Sequence, residues 1–302
     1  MSLLDYDIAL LTDHRYAGSA RPGDWYHENI LHDDRLLQDA LRKQGLSSVR
    51  VDWADSNVDW LSFRALVFRT TWDYFERIDE FIPWLERVRK QSRLINPPEA
   101  ITWNMHKSYM PELKRKGIPI VPTQMIPKGS APVLNELLET AGWDEAVIKP
   151  AVSGAARLTY RLNHSNGAEL TEKLGPHIEN EDFLIQPFMP DIVATGEDTV
   201  MVFNGEVTHA VRKVAKEGDY RVQDDHGGTV HSHTPDKEQV ELARKAVEAS
   251  GFDLAYGRVD MVAGPDGSPL LMELEIIEPE LWLRFHPPSA EAFADGIKKM
   301  VD

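Results

Sequence analysis

Residues 270–281 read LLMELEIIEPEL, and the interpretation of this stretch decides the fold. Leucine and isoleucine build a strand-like run that Glu273 and Glu275 interrupt. Side chains alternate with period two along a strand, so the two glutamates share one face while Met272, Leu274 and Ile276 share the other. Upstream, GRVDMV carries Asp260, and AGPDGSP between the two runs has the Pro, Asp and Gly of a turn. A hairpin then brings Asp260 close to both glutamates. Clustered carboxylates repel one another unless positive charge sits among them, and hard oxygen donors suit Mg2+. The competing account is a solvated outer face, since antiparallel sheets often wet one side.

The chain of 302 residues is long enough for two or three domains with their own cores. No apolar run approaches a membrane span. The N-terminal MSLLDYDIALLTDHRY has no basic leader and meets Asp5 and Asp7 at once, so a first buried strand is expected there rather than a signal peptide. A formal charge of -16 disfavours nucleic acid and anionic membranes as partners. With no cysteine, disulfides, thiolate metal sites and cysteine nucleophiles are excluded. The Asn163-His164-Ser165 sequon means little without a secretory route, and a cytoplasmic setting is expected.

Strands and helices alternate over the first hundred or so residues: DIALLT, a helix through HENILHDDRLLQDALRKQGL, SSVRVDW, RALVFRTTWDYF, a helix in DEFIPWLERVRKQ, and SRLINP. That alternation predicts an α/β, doubly wound parallel layer. Further on, HKSYMPELKRKGI and VLNELLETAG read as helices and EAVIKP as a strand. TVMVFNGEVTHAVRKV reads as a hairpin with Asn204-Gly205 at its tip. A helix capped by Thr234 and closed by Gly251, the carboxylate hairpin and a last helix complete the chain. The expected divisions are 1–105, 106–187 and 188–302.

Several residues could carry chemistry. Lys149 ends an apolar strand ahead of the small-residue segment AVSGAAR, whose backbone can approach an anion closely. Arg212, Lys213, Lys216 and Arg221 concentrate positive charge, either as a surface patch or as a clamp for phosphate oxygens. His226, His231 and His233 raise the question of zinc. Arg69 to Asp73 follow a strand end, where α/β folds place binding residues, or simply begin a helix.

In order, the chain presents Lys107, Lys149 before its small-residue loop, FLIQPFMP, the acid of TGEDT, a basic stretch and the D…E-x-E hairpin. That order resembles the ATP-grasp superfamily, and within it the glutathione-synthetase-like ligases. The resemblance implies an ATP-grasp fold, α+β in the grasping domains, behind a doubly wound pre-ATP-grasp domain. It implies ATP and two Mg2+ ions, with Mn2+ as a substitute. Lys107 and Lys149 would hold the nucleotide phosphates, with Ser153 and Gly154 in a loop folding over them. The backbone of Gln186, Pro187, Phe188 and Met189 would face adenine, and Glu197 the ribose. Asp260, Glu273 and Glu275 would bind the metal. Three positions depart from the pattern. Glu275 stands where many relatives have asparagine, and Thr199 and Lys213 stand where arginine is usual.

The implied chemistry is attack of a substrate carboxylate on the γ-phosphate, giving an acylphosphate that a nucleophile then opens. Arg221 and Lys213, with Arg212 beside them, are expected on the acylphosphate oxygens. RTTWDYFERIDEFIPWLERV, ITWNMHKSYMPEL and ELEIIEPEL resemble a bacterial branch that includes the D-cycloserine-forming O-ureido-serine cyclo-ligase. A small amino-acid-like carboxylate is the expected partner, and a homodimer is left open. The alternative is a non-catalytic, regulatory nucleotide-binding module on the same scaffold.

Overall fold

The computed structural model describes residues 6–222 and 227–302. The first sheet contains β1 (Ile8–Thr12), β2 (Ser48–Asp52), β3 (Ala65–Thr70) and β4 (Arg93–Ile95). Its order is β2-β1-β3-β4 and every pairing is parallel. Successive residues of β1 feed different cores. Ile8 and Leu10 pack with helix α1 (Trp25–Lys43), whereas Ala9 and Leu11 pack with helix α2 (Ile78–Val88). Both faces are covered, which is why β1 and β3 read as unbroken apolar runs. The layer is therefore doubly wound. Chain order reverses between β1 and β3, and a crevice opens at their carboxyl ends.

Pro97 and Pro98 end β4 and also start a helix, α3 (Pro98–Met105), because a proline at the first helical position sacrifices no hydrogen bond. Helix α4 (Tyr109–Arg115) and the chain as far as Ile120 pack on the C-terminal sheet, so residues 106–120 are not docked on the sheet that follows. That second sheet contains β5 (Gln124–Ile126), β6 (Glu145–Pro150), β7 (Tyr160–Asn163) and β8 (Phe183–Pro187), antiparallel in the order β5-β8-β6-β7. Helices α5 (Leu134–Ala141) and α6 (Gly167–Ile178) cover one face with a core of their own. The other face of β6 presents Val147 and Lys149.

After the short helix α7 (Asp191–Ala194), the third sheet contains β9 (Glu197–Phe203), β10 (Glu206–Val214), β11 (Thr229–His233), β12 (Tyr256–Ala263) and β13 (Pro269–Glu275). Its order is β11-β10-β9-β12-β13. Asn204 and Gly205 turn the β9–β10 hairpin with φ of 48° and 81°. Helix α8 (Lys237–Ser250) is capped by Asp236, not Thr234: the Asp236 carboxylate accepts from the Glu238 and Gln239 backbone N–H groups in a capping box. Val200, Val202, Val259, Met261 and Leu274 bury one sheet face against α8 and α4. The opposite face is divided. Met201, Phe203, Val211 and Tyr256 pack on α1 and the last helix, α9 (Ser289–Val301), and the remainder is charged.

Two buried asparagines and a tyrosine join the first and third sheets. The Asn96 amide donates to the Tyr256 and Ile276 carbonyls, and the Asn104 amide donates to that of Leu274. The Tyr256 hydroxyl donates to the Phe68 and Ile277 carbonyls at 3.1 and 2.6 Å. Among the described residues no helix is long and apolar enough to cross a membrane.

Candidate active site

A cleft of ≈ 300 Å³ opens where the three sheets meet. Its floor is the charged part of the third sheet. Period-two alternation puts Glu197 and Thr199 of β9, Lys213 of β10, Arg258 and Asp260 of β12, and Glu273 and Glu275 of β13 on one face. The hairpin register pairs Asp260 with Glu273 and Arg258 with Glu275 across the two strands. The hairpin expected from LLMELEIIEPEL is present, and cationic side chains lie among its carboxylates.

Arg258 is the centre of that arrangement. Its guanidinium donates to both Asp260 oxygens at 3.1 and 2.8 Å and also reaches Glu275. The Lys213 ammonium bridges Glu197 and Asp260, 3.3 Å from the latter. Thr199, at a position where arginine was the norm, donates its hydroxyl to Asp260 at 2.7 Å. Lys107 lies 3.0 Å and Lys149 3.9 Å from the Glu273 carboxylate. Lys107 also donates to the Ser153 carbonyl at 2.7 Å. Lys107 and Lys149 are thus brought together with the hairpin acids in one cleft.

Burial and pairing set opposite protonation tendencies within a few residues. Burial alone would raise Asp260, yet Arg258 and Lys213 outweigh it and hold the carboxyl at about 2. Glu273 likewise stays below its usual value, because Lys107 and Lys149 overcome burial. Burial pushes Glu275 up to about 7 despite Arg258, with Asp260 and Glu273 adding repulsion. Burial also lowers the Lys149 ammonium, and it raises Glu197 against the pull of Lys213. So many shifted acids and bases gathered in one cleft mark it as the candidate site.

The wall comes from the first sheet's crevice. The β1 end supplies Arg15 and Tyr16, and the segment after β3 supplies Trp72, Tyr74 and Phe75. Phe75 presses on Gly154, where an added Cβ would lie 2.5 Å from the ring. Ala155 and Ala156 continue that loop with φ of 47° and 54°, a backbone that small side chains tolerate best.

Other expected residues lie elsewhere. Arg212 points to the opposite sheet face by the alternation that places Lys213 inside, and Asp198 holds it with two bonds of 2.6 and 2.8 Å. Arg221 does line the cleft, beside Asp219. Gln186 donates to Thr123, and Phe188 lies under the Arg161 guanidinium, so these two side chains pack against the second sheet and do not line the cleft. Within RTTWD, Arg69 turns inward onto Asp34, and Asp73 accepts from Trp53 and Arg77. His231 bonds Thr229 and His233 bonds Gln239, while His226 lies outside the described residues. Among the described residues no three His, Asp or Glu side chains close around one point.

Three contributors escaped the sequence reading: Arg258, Glu278 and Tyr16. For Arg258 the signal was present, since Arg-x-Asp on a strand shares a face as surely as Glu-x-Glu. For Tyr16 and Glu278 only the tertiary fold brings the loops together.

This combination of a doubly wound layer, a helix-backed lid sheet and an antiparallel sheet bearing lysines opposite acids is the ATP-grasp architecture. Residues 151–279 match the RimK-like ATP-grasp domain, and residues 8–96 match the N-terminal domain of D-cycloserine synthetase DcsG. The cycloserine biosynthesis protein DcsG of Streptomyces lavendulae is 33% identical over 286 residues, covering 89% of this chain and 93% of that protein. The crystal structure of D-cycloserine synthetase DcsG superposes with a TM-score of 0.87 at 29% identity, covering 98% of this chain and 99% of that one. The ATP complex of D-alanine–D-alanine ligase from Bacillus anthracis shares the fold, with a TM-score of 0.66 at 15% identity over 98% of this chain and 97% of the other. The chain belongs to the ATP-grasp ligases, in the family of DcsG. It is an enzyme, an ATP-dependent ligase, and the regulatory-module alternative falls away.

Proposed function

We propose that the protein activates the carboxylate of a small amino-acid-like substrate as an acylphosphate, which a nitrogen nucleophile then opens to an amide or a ring. The observation that carries this reading is the single cleft in which Lys107, Lys149, Lys213 and Arg258 face Asp260 and Glu273. Lys107 and Lys149 bind the ATP phosphates under the Ser153–Ala156 loop. Adenine takes the apolar end near Val147, Ile192 and Met272, beside the Gln186–Met189 backbone. Glu197 is held by Lys213 within reach of the ribose.

Asp260 and Glu273 offer ionised oxygen donors on neighbouring strands with Glu275 as the third, and Mg2+ would draw them off Lys107, Lys149 and Arg258 to close around it. Two ions held there, with Mn2+ as a substitute, would offset phosphate charge during transfer. Arg258, Lys213 and Arg221 take the developing charge on the acylphosphate oxygens. The protein positions and neutralises, and supplies little covalent chemistry. The N-terminal domain carries the substrate wall, the second sheet from β5 to β8 the lid, and the third sheet, with residues 106–120 packed on it, the metal, all in the cytoplasm.

Ring closure is favoured over a linear amide by the relative's name, which concerns cycloserine. The test is coupled ADP release over amino acids, short dipeptides and O-ureido-serine of both configurations, with mass spectrometry of products. ADP should form only with a competent acid, and O-ureido-D-serine should give a cyclised product. ADP release indifferent to every carboxylate would overturn the acylphosphate reading.

A further inference from the structure

Nearly every charged group that lines the cleft is already answered. Arg15 rests on Asp13, Lys107 and Lys149 on Glu273, Arg258 on Asp260 and Glu275, and Glu280 on Arg284. Glu278 lines the same cleft, yet among the described residues its carboxylate meets no other side chain at bonding distance; its own backbone N–H is its hydrogen-bond partner.

Its backbone, by contrast, is fixed. The Trp72 indole donates to the Glu278 carbonyl at 2.8 Å, and the Tyr256 hydroxyl donates to the Ile277 carbonyl next to it. This half-buried carboxyl is anchored by its main chain and carries no counter-charge at its tip, so it faces the cleft ready to accept a proton. Beside it, Trp72 stands 5.4 Å from Tyr16 and 6.0 Å from Tyr26, a wall of π-surface that suits a nitrogen carrying partial positive charge.

We propose that Glu278 is the catalytic base of the second half-reaction, receiving the attacking substrate nitrogen and taking its proton as that nitrogen adds to the acyl carbon. The carbon–nitrogen bond forms and the carbon–oxygen bond to phosphate breaks. Phosphate leaves with the electron pair, and the nitrogen's proton passes to Glu278. Glu273 and Glu275 are unsuited to the task because they face Lys107, Lys149 and Arg258 here and hold the metal in the reading above. The balance is the same for a nitrogen in a second molecule and for one in the activated acid itself. This inference rests on the acylphosphate reading above.

The experiment compares wild type and Glu278→Gln with ATP and two probe acids, O-ureido-D-serine and D-alanine, in the presence and absence of hydroxylamine. Hydroxylamine is uncharged near neutral pH and attacks an acylphosphate without help from a base. The variant should form the hydroxamate within about threefold of wild type while its cyclised or dipeptide product falls roughly a hundredfold, the range a general base supplies. Hydroxamate formation is at once the control for folding and for activation. An equal fall in both products, or an undiminished native product, overturns the role of Glu278 alone. No hydroxamate from the wild type overturns the acylphosphate reading and this inference with it.

Discussion

Glu273 holds two buried ammonium groups, and that changes what its loss should do. From sequence, three crowded carboxylates suggest that removing one relieves repulsion. In the folded protein each acid sits on a cation, so Glu273→Gln leaves Lys107 and Lys149 facing each other without a counter-charge. Removing one partner of a buried ion pair costs about 3–5 kcal/mol. The nucleotide-free variant should lose stability of that order in denaturant titrations, and a second change, Lys107→Met, should restore part of it. A variant as stable as wild type would mean that the lysines are solvated enough to stand alone. This is also the scale at which the sequence spoke most clearly. Strand alternation put Glu273 and Glu275 on one face and the expected turn brought Asp260 to them, whereas Lys213 entered only with its basic stretch and the family pattern. The same rule, left unapplied to Arg212, would have put that residue outside.

Within a single element, β10 carries His209, whose ring stacks on Phe203 and His286 while its Nε2 donates to the Leu281 carbonyl. Burial lowers this imidazole from 6.5 to about 4. A group depressed on folding contributes its stability in full above the unfolded value and loses it as pH falls through the folded one. Between pH 6.5 and 4 the protein should therefore lose up to roughly 3 kcal/mol through His209, and His209→Gln should flatten that part of the profile. An identical slope in the variant would assign the loss to other groups. Elements themselves were legible where apolar periodicity was long, as in α1, α8 and β9. They were lost where it was short or interrupted. Strand β7 is only Tyr160–Asn163, and α6 contains Gly175 and Pro176. Pro98 concealed α3 by suggesting an ending where it also made a beginning.

Across the whole molecule, the loop after β6 leans on the first sheet's core, with Val152 packed there and Gly154 pressed against Phe75. A methyl group there collides with a ring that is 6% exposed and has little room to retreat. Overpacking of this kind costs about 1–3 kcal/mol, so Gly154→Ala should weaken ATP roughly tenfold by calorimetry. Gly154→Ala with Phe75→Leu should recover it, whereas an unaffected single variant would show that the loop binds phosphate without leaning on the first sheet. The architecture was readable from the order of its motifs, but the meeting of Tyr16, Trp72 and Glu278 was not, because those residues are joined only by packing. One further consequence follows from α9. Phe293, Ala294 and Ile297 fill the same core as Ile8, Leu10, Leu37 and Leu41, so the first sheet is sealed by a helix synthesised long after it. Until α9 is made, the α1 face stays open to water, so this layer matures only after the two sheets that follow it in the chain.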